Sequence, residues 1–559
     1  MVKKVVIVGG VAGGASAAAR LRRLSEDVEI VLFERGEYIS FANCGLPYYI
    51  GETIQDRNEL IVQTVEGMAK KFNLTIRIAS EVLKINRNDQ TVTVKNRKTG
   101  EIYEETYDRL LLSPGAKPIV PNIPGIGENN RLFTLRNIPD TDQIKSFIDE
   151  RKPKKAVVVG GGFIGIEMAE NLHKRGIDVT IVEMARQVMA PVDYEMACFL
   201  HNHIREKGIK LVLENGVKAF HDQGRTIELT DGTILDTDVT ILSIGVQPEN
   251  DLAKKAGLAI GKRGGIVVNE YLQTTDEKIY AVGDVIEVKD VVNGEKILLP
   301  LAGPANRQGR IAANNIMGKR ETYDGVFGTS IAKAFDLTVA VTGNNEKTIR
   351  KLGIPYEVLH IHPGSHAGYY PGAMPIDLKL IFDKNTGRIY GAQAIGTEGV
   401  DKRIDVISTA MKGGLTVEDL TEVELAYAPP FSSAKDPVNM AGYVASNIRT
   451  GDLNQIQWYE VDEAKKDGLV IDVREQEELE VGKIEDAVHI PLGQLREKLT
   501  DLPKNQPIYV YCQVGLRGYI AYRILKHNDF NVKNIDGGWR TYAAYRSNRT
   551  GRTRKKAVV

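Results

Sequence analysis

Two of the three cysteines in this chain stand where a nucleophile would be useful. Cys44 lies in Ser40-Phe41-Ala42-Asn43-Cys44-Gly45-Leu46-Pro47-Tyr48, a short way past a glycine-rich strand and helix. A dithiol centre needs a second cysteine a few residues on, but positions 45–51 read Gly-Leu-Pro-Tyr-Tyr-Ile-Gly, so no internal disulfide can form there. A lone thiolate cycles through a sulfenic acid, a persulfide or a mixed disulfide with an external thiol. Cys512 heads Cys512-Gln513-Val514-Gly515-Leu516-Arg517-Gly518, directly after the apolar run Ile508-Tyr509-Val510-Tyr511. A strand, a loop and a helix N-terminus form an anion cradle, where backbone N–H groups and Arg517 can stabilise a thiolate or the terminal sulfur of a persulfide. Cys198 sits in the amphipathic stretch Asp193-Tyr194-Glu195-Met196-Ala197-Cys198-Phe199-Leu200 and is expected to pack rather than react. His360, His362 and His366 lack accompanying cysteine or acidic ligands in sequence, so no metal is expected.

Elements whose pattern fits dinucleotide binding precede and follow Cys44. Val5-Val6-Ile7-Val8 runs into Gly9-Gly10-Val11-Ala12-Gly13-Gly14 and then small residues, a strand, tight turn and helix that let a pyrophosphate approach the helix N-terminus. Glu34 closes the next strand, where a carboxylate takes a ribose hydroxyl, with Arg35 beside it. Val11 stands where the G-x-G-x-x-G fingerprint wants its middle glycine, so this copy alone also fits an ordinary tight turn. The second copy, Gly160-Gly161-Gly162-Phe163-Ile164-Gly165, satisfies the fingerprint, and the following strand ends in Glu183. It predicts a nicotinamide dinucleotide. Glu183 repels a 2′-phosphate and favours NADH, while Arg175 and Arg186 lie close enough in sequence to soften that preference.

Lys and Arg together number 73, as do Asp and Glu, so no global charge favours nucleic acid or an anionic membrane. A small substrate is expected. Three cysteines far apart in sequence suggest a reducing, cytoplasmic setting rather than a disulfide framework. Met1-Val2-Lys3-Lys4 leads straight into a strand without an apolar signal region, and no run is long enough for a membrane span. The basic stretch Arg546 to Lys556 reads as a disordered end.

Further motifs place these pieces in a family. Ile279-Tyr280-Ala281-Val282-Gly283-Asp284 resembles the flavoprotein disulfide reductase motif whose aspartate binds the flavin ribityl chain, which makes Asp284 the candidate here. Ser113-Pro114-Gly115 resembles the crossover between that family's FAD and NAD domains, and Pro300-Leu301-Ala302-Gly303-Pro304-Ala305 the helix start facing the flavin pyrimidine. Residues 1 to about 447 thus resemble the single-cysteine branch of the flavoprotein disulfide reductases. Within it, the Cys44 segment is similar to that of the coenzyme A-disulfide reductases, as are the tyrosine loops His366-Ala367-Gly368-Tyr369 and Ala426-Tyr427-Ala428-Pro429-Pro430-Phe431.

The resemblance implies bound FAD, NAD(P)H with NADH accepted, and a mixed disulfide between Cys44 and coenzyme A. It implies a homodimer in which Tyr369 and Tyr427 of one subunit serve Cys44 of the other, with Tyr370 an alternative to Tyr369. A phenol near a leaving thiolate can stabilise or protonate it. Beside oxidised flavin at a helix start, Cys44 is expected to have a depressed pKa. Coenzyme A carries phosphates, so cations are needed away from the sulfur. Arg20, Arg23, Lys71 and Lys435 match that role, and Ser16, Ser40 and Asn43 line the pantetheine arm. The other branch, NADH oxidases and peroxidases working through a sulfenic acid, is the alternative.

Past a polar linker, Val470-Ile471-Asp472-Val473-Arg474, His489-Ile490-Pro491-Leu492, the Cys512 loop and Asp536-Gly537-Gly538-Trp539 resemble a single-domain rhodanese. One turn departs: Gly482-Lys483-Ile484-Glu485-Asp486-Ala487 replaces that family's Gly-His-Ile-Pro-Gly-Ala. The expected class is α/β, with two Rossmann-like domains, an α+β dimerisation domain and a C-terminal α/β rhodanese domain. The boundaries read FAD-binding 1–112 and 249–325, NAD(P)-binding 113–248, dimerisation 326–447 with βαβ-like alternation, linker 448–456, rhodanese 457–545 and basic tail 546–559.

Overall fold

A computed structural model describes residues 2–550, so 551–559 of the expected basic tail lie outside the described residues. The chain forms two compact units, residues 1–184 with 214–326, and residues 185–213 with 327–559. Among the described residues, no helix is long and apolar enough to cross a membrane.

The first unit holds both nucleotide-type folds. Strands Ile279–Ala281, Arg109–Leu112, Lys4–Val8, Glu29–Phe33 and Thr75–Arg77 lie side by side in that order, all parallel. Val5, Val6, Ile7, Leu110 and Leu111 are fully buried, as continuous apolar runs covered on both faces should be. Helix Ala12–Leu24 follows the first strand and packs on helix Ala302–Ile316. Their approach is so close that a Cβ on Gly309 would lie 2.3 Å from the Gly13 carbonyl oxygen. A second parallel sheet runs Asp178–Val182, Lys155–Val159, Val239–Leu242, Leu132–Phe133. The chain leaves and re-enters the first fold through Ala116–Pro118, which pairs antiparallel with Val246–Pro248, close to the predicted crossover.

The second unit is built differently from its predicted alternation. Strands Ser330–Ala334, Leu337–Gly343, Ile389–Gly396, Asp377–Phe382 and Glu357–Ile361 form one sheet, antiparallel throughout. Short apolar runs do not reveal strand direction; here the two-residue turn after Ala334 and the tight Asp383 to Arg388 return make hairpins, which no helical crossover could replace. Residues 185–213 share a compact unit with this sheet. The rhodanese-like module has a parallel sheet ordered Gln455–Ile456, Val532–Ile535, Ile508–Tyr511, Leu469–Asp472, Val488–His489.

The stretches on either side of that module are ordered. The segment 448–456 is not a free linker: helix Pro437–Thr450 occupies its start and Gln455–Ile456 adds an edge strand to the sheet. Asp452 is tied to Arg523 at 2.6 Å. At the other end, helix Gly538–Thr550 continues past residue 545, where a disordered tail was expected. Ser547 and Asn548 hydrogen-bond Asn202 of the 185–213 segment, which orders the start of the basic stretch.

Candidate active site

The turn after the first strand is cramped by design of its backbone. Gly9 has φ +99°, and a Cβ there would sit 2.1 Å from the Ser113 carbonyl oxygen; on Gly14 it would sit 1.9 Å from that of Gly9. Glu34 accepts from the Gly10 and Gly36 amides at 2.9 and 2.7 Å, so its carboxylate is fixed at the mouth of the turn. Val11, the departure from the fingerprint, is simply the residue before helix Ala12–Leu24. Arg35 pairs with Glu249, which Arg136 also holds, and Arg136 in turn donates to the Pro114 carbonyl. The crossover Ser113-Pro114-Gly115 is thereby anchored beside Gly9. Gly283 has φ +82°, and its amide donates to Gln308 on the helix that starts at Ala302, with Leu301 as its N-cap and Pro300 before it. Ala305 of this helix is buried. Asp284 follows Gly283, and burial pushes its carboxyl up to about 6.

The second glycine turn repeats the logic. Gly160 has φ +106°, and a Cβ on Gly165 would lie 2.0 Å from the Gly160 carbonyl oxygen. Gly162 caps helix Phe163–Lys174, which Phe163 and Ile164 begin, and Glu183 accepts from the Gly161 amide at 2.7 Å. The two arginines near it in sequence are engaged elsewhere. Arg175 bonds Asp149 and the Ile50 carbonyl, and Arg186 stacks over Tyr194 at 4.4 Å.

Cys44 is exposed, in the short turn Asn43–Gly45 that leads into helix Leu46–Ile50. In the protein alone its thiol pKa is raised: partial desolvation is the main cause, and the carboxylates of Glu167 and Asp284 add to it. Turns of three and five residues supply little helix dipole to offset this. Glu167 was not anticipated from sequence. It lies one turn into the helix after the second glycine loop, accepts from the Tyr48 hydroxyl at 3.3 Å, and is pushed up to about 7 mainly by burial. A glutamate five residues after Gly162, on a helix rooted at a nucleotide turn, was its only signal.

A cavity of about 350 Å³ opens beside the Cys44 segment, lined among others by Ser16, Arg23, Ser40, Gln63, Lys71 and Arg310. Three of its cations, Arg23, Lys71 and Arg310, come from three helices or their ends, and Arg310 was missed because its helix reads as a flavin-facing one. Ser16 donates to Asn306 at 2.5 Å, another lining residue. Arg20 does not line the cavity; its Nε donates to Asn314 at 2.8 Å. Asn43 is exposed next to Cys44. Ser40 takes φ +43° to place its amide on the Gly10 carbonyl, joining this cavity to the first glycine turn.

In the second unit, Tyr369 and Tyr427 share a hydroxyl–hydroxyl bond of 2.8 Å, and both are exposed. Tyr370 points differently, its ring edge-on to His366 at 5.6 Å. Lys435 is exposed in the same unit. The buried Cys198 thiol is pushed well up by burial, in keeping with a packing role.

Cys512 is buried at the end of its strand, and the Gly515 amide, at φ +117°, donates to its Sγ at 3.1 Å. Trp539 and Arg540 amides hold the carbonyls of Cys512 and Gln513 at 2.8 and 3.0 Å. Behind the loop, Arg474 is fully buried on Asp472, whose carboxylate also accepts from Tyr511 at 2.6 Å. In the turn that departs from the rhodanese pattern, Asp486 takes φ +65° and the Ile484 amide donates to Tyr511. Aspartate tolerates that left-handed region better than most residues.

Comparison with known proteins agrees with this geometry. The pyridine nucleotide-disulphide oxidoreductase model matches residues 3–309, the dimerisation domain of the same family residues 329–437, and the rhodanese-like domain residues 457–545. A coenzyme A disulfide reductase of Staphylococcus haemolyticus is 39% identical over 447 residues, 80% of this chain and all of that one. The crystal structure of reduced Bacillus anthracis CoADR-RHD superposes with a TM-score of 0.96 at 59% identity, covering 97% of this chain and 98% of the other. A NAD-dependent persulfide reductase from A. fulgidus gives 0.91 at 38% identity, covering 96% and 100%.

Proposed function

Because the chain belongs to the pyridine nucleotide-disulphide oxidoreductases, with a rhodanese-like domain at its C-terminal end, we propose that it is an NAD(P)H-dependent reductase of coenzyme A disulfide and coenzyme A persulfide or polysulfide, coupled to sulfur transfer at Cys512. The observation that carries this reading is a lone, exposed Cys44 in a segment whose Ser40 lines a cavity shared with Arg23, Lys71 and Arg310. A sulfenic-acid oxidase or peroxidase has no use for that triad of cations.

The crowded glycine turns, with Glu34, Glu183 and Asp284 at their mouths, fit FAD and a nicotinamide dinucleotide. When bound, these cofactors supply the two electrons that reopen a disulfide at Cys44. The chain's own residues do the rest. Cys44 thiolate attacks one sulfur of a CoA-linked disulfide or persulfide, and the displaced sulfur leaves as thiolate or hydrosulfide while Cys44 stays joined to the remaining fragment. Arg23, Lys71 and Arg310 hold the phosphates, with Ser16 and Ser40 along the arm. Glu167, pushed up to about 7, can keep a proton near the thiol. The Tyr369–Tyr427 pair of one subunit protonates the leaving sulfur at Cys44 of the other in a homodimer, and Tyr369 is chosen over Tyr370 because only it bonds Tyr427. NADH is the preferred donor, since Glu183, fixed at the second glycine turn, would meet the ribose of a bound nucleotide and repel a 2′-phosphate, and Arg175 and Arg186 are engaged. The setting is cytoplasmic.

Mass spectrometry of the purified protein under non-reducing conditions tests the assignment. A CoA adduct on Cys44, released by NADH, is the expected result; a bare or singly oxygenated Cys44 would move the enzyme to the oxidase and peroxidase branch. Gly9→Ala is expected to cost about 1–3 kcal/mol through a strained backbone and to strip FAD during purification, read as loss of the flavin's visible absorbance with the protein still folded by circular dichroism.

A further inference from the structure

The cation in the Cys512 cradle is not free to receive an anion. Arg517 donates through Nη1 and Nη2 to the two carboxylate oxygens of Glu478 at 2.6 and 2.7 Å. Glu478 is itself fixed, since its side chain caps the turn beginning at Glu475 and accepts that residue's amide at 2.9 Å. The guanidinium is also close enough to the Cys512 thiol for the two to interact, so the Glu478 charge bears on the nucleophile through one shared partner. A second arginine reaches the loop, with Arg474 Nη1 on Gln513 at 3.2 Å, but it is fully buried on the Asp472 carboxylate at 2.7 Å. Both guanidinium groups that touch this loop are therefore matched by a carboxylate. The attraction that remains comes from backbone dipoles such as the Gly515 amide. Val514 and Leu516, inside the loop itself, are 37% and 61% exposed and give its mouth an apolar edge.

We propose that Glu478 is a specificity-determining residue that makes Cys512 take sulfane sulfur from a persulfide on an uncharged organic arm in preference to thiosulfate. The proposal rests on the sulfurtransferase reading of Cys512. Thiosulfate brings two negative charges to a nucleophile that is itself an anion, and a neutralised Arg517 offsets little of that repulsion. A persulfide reacts as neutral R–S–SH, with its arm against Val514 and Leu516. The step balances: Cys512–S⁻ attacks the terminal sulfur of R–S–SH, the donor S–S bond breaks as the new one forms, and Cys512–S–SH and R–S⁻ result. Sulfur at oxidation level zero moves without net oxidation, and R–S⁻ takes a proton from solvent.

The test uses the full chain in a Cys44→Ser background, which silences the reductase, and follows persulfide formation on Cys512 by quenched mass spectrometry. The donors are thiosulfate and the persulfide of N-acetylcysteamine, each rate divided by that donor's rate with free 2-mercaptoethanol. The normalised persulfide rate is expected to exceed that of thiosulfate by about 10-fold or more. Glu478→Gln is expected to raise the thiosulfate rate about 10-fold and the persulfide rate by less than about 3-fold, while Glu478→Asp stays near the parent. Equal normalised rates in the parent, or a Glu478→Gln variant that changes both donors alike, would overturn the proposal. Should that variant fail to fold, the salt dependence of the parent decides: an uncompensated repulsion between thiosulfate and the Cys512 thiolate gives a thiosulfate rate that rises with salt, and a rate that falls steeply with salt overturns the idea. Transfer from neither donor would sink the sulfurtransferase reading along with it, whereas the CoA adduct on Cys44 is tested separately.

Discussion

Cys44→Ser is expected to lower NADH-dependent turnover by about 10³-fold or more with both CoA disulfide and CoA persulfide. The chemistry needs a group that can both attack sulfur and be released from it by two-electron reduction, and a serine ether or alcohol can do neither. The surroundings make the loss more severe. Glu167 and Asp284 already disfavour an anion at this position, with the thiol pKa raised by burial and by both carboxylates, so an alkoxide there is still less accessible. Flavin absorbance and sulfur uptake at Cys512 should be unchanged, which separates loss of the nucleophile from loss of fold. Steady-state NADH oxidation checks this with each substrate. Turnover within about tenfold of the parent would rule out the mixed-disulfide cycle.

The second large effect is one of stability. Lys379 is fully buried, and its Nζ lies 3.0, 2.5 and 2.7 Å from carboxylate oxygens of Asp193, Glu195 and Glu346. Glu195 also meets His360, which is pushed up to about 9 despite burial by its bond to Asp536 at 2.6 Å. Beside it His362 bridges Asp377 at 2.6 Å and Thr541 at 2.9 Å, and Arg540 closes on Asp377. One network thus ties the 185–213 segment, the antiparallel sheet and the rhodanese-like module. Three carboxylates this close resemble a metal cluster, but the ammonium already sits among them. Lys379→Met removes the central cation and leaves those carboxylates buried against one another, which is expected to cost about 3–5 kcal/mol. Urea unfolding followed by the fluorescence of Trp458 and Trp539, both in this unit, should show an earlier transition. Adding Glu195→Gln should recover part of the loss, because it removes one of the uncompensated charges. An unshifted midpoint in the single variant would mean that the network contributes nothing to holding the unit together.

The same network also reaches the sulfur chemistry. Asp536, on which His360 rests, begins the Asp536-Gly537-Gly538-Trp539 turn, whose Trp539 amide and the Arg540 amide after it hold the Cys512 and Gln513 carbonyls. A Cβ on Gly538 would lie 2.4 Å from the Cys512 carbonyl oxygen. The cradle is therefore built on a wall that the dimerisation sheet supports.

What the sequence determined on its own is the chemistry that depends on local order. A lone cysteine without a second nearby, two glycine turns each followed by a strand ending in glutamate, and a cysteine followed at fixed spacing by Gly515 and Arg517 are all contiguous, and contiguous backbone geometry is encoded in contiguous residues. The pairing of Tyr369 with Tyr427 could be anticipated only through the resemblance, being 58 residues apart. Tertiary structure alone decided the charges that act across elements. Glu167 raises the pKa of Cys44 from a helix that begins more than a hundred residues later, Arg310 joins Arg23 and Lys71 from a third helix, and Glu478 occupies Arg517 from a turn 39 residues earlier. Electrostatic effects depend on distance through space, which sequence spacing does not report once the chain has folded back on itself. The same reason hides the partners of Asp193 and Glu195: they find their countercharge on Lys379, nearly two hundred residues later, where leaving that buried lysine unpaired would be costly.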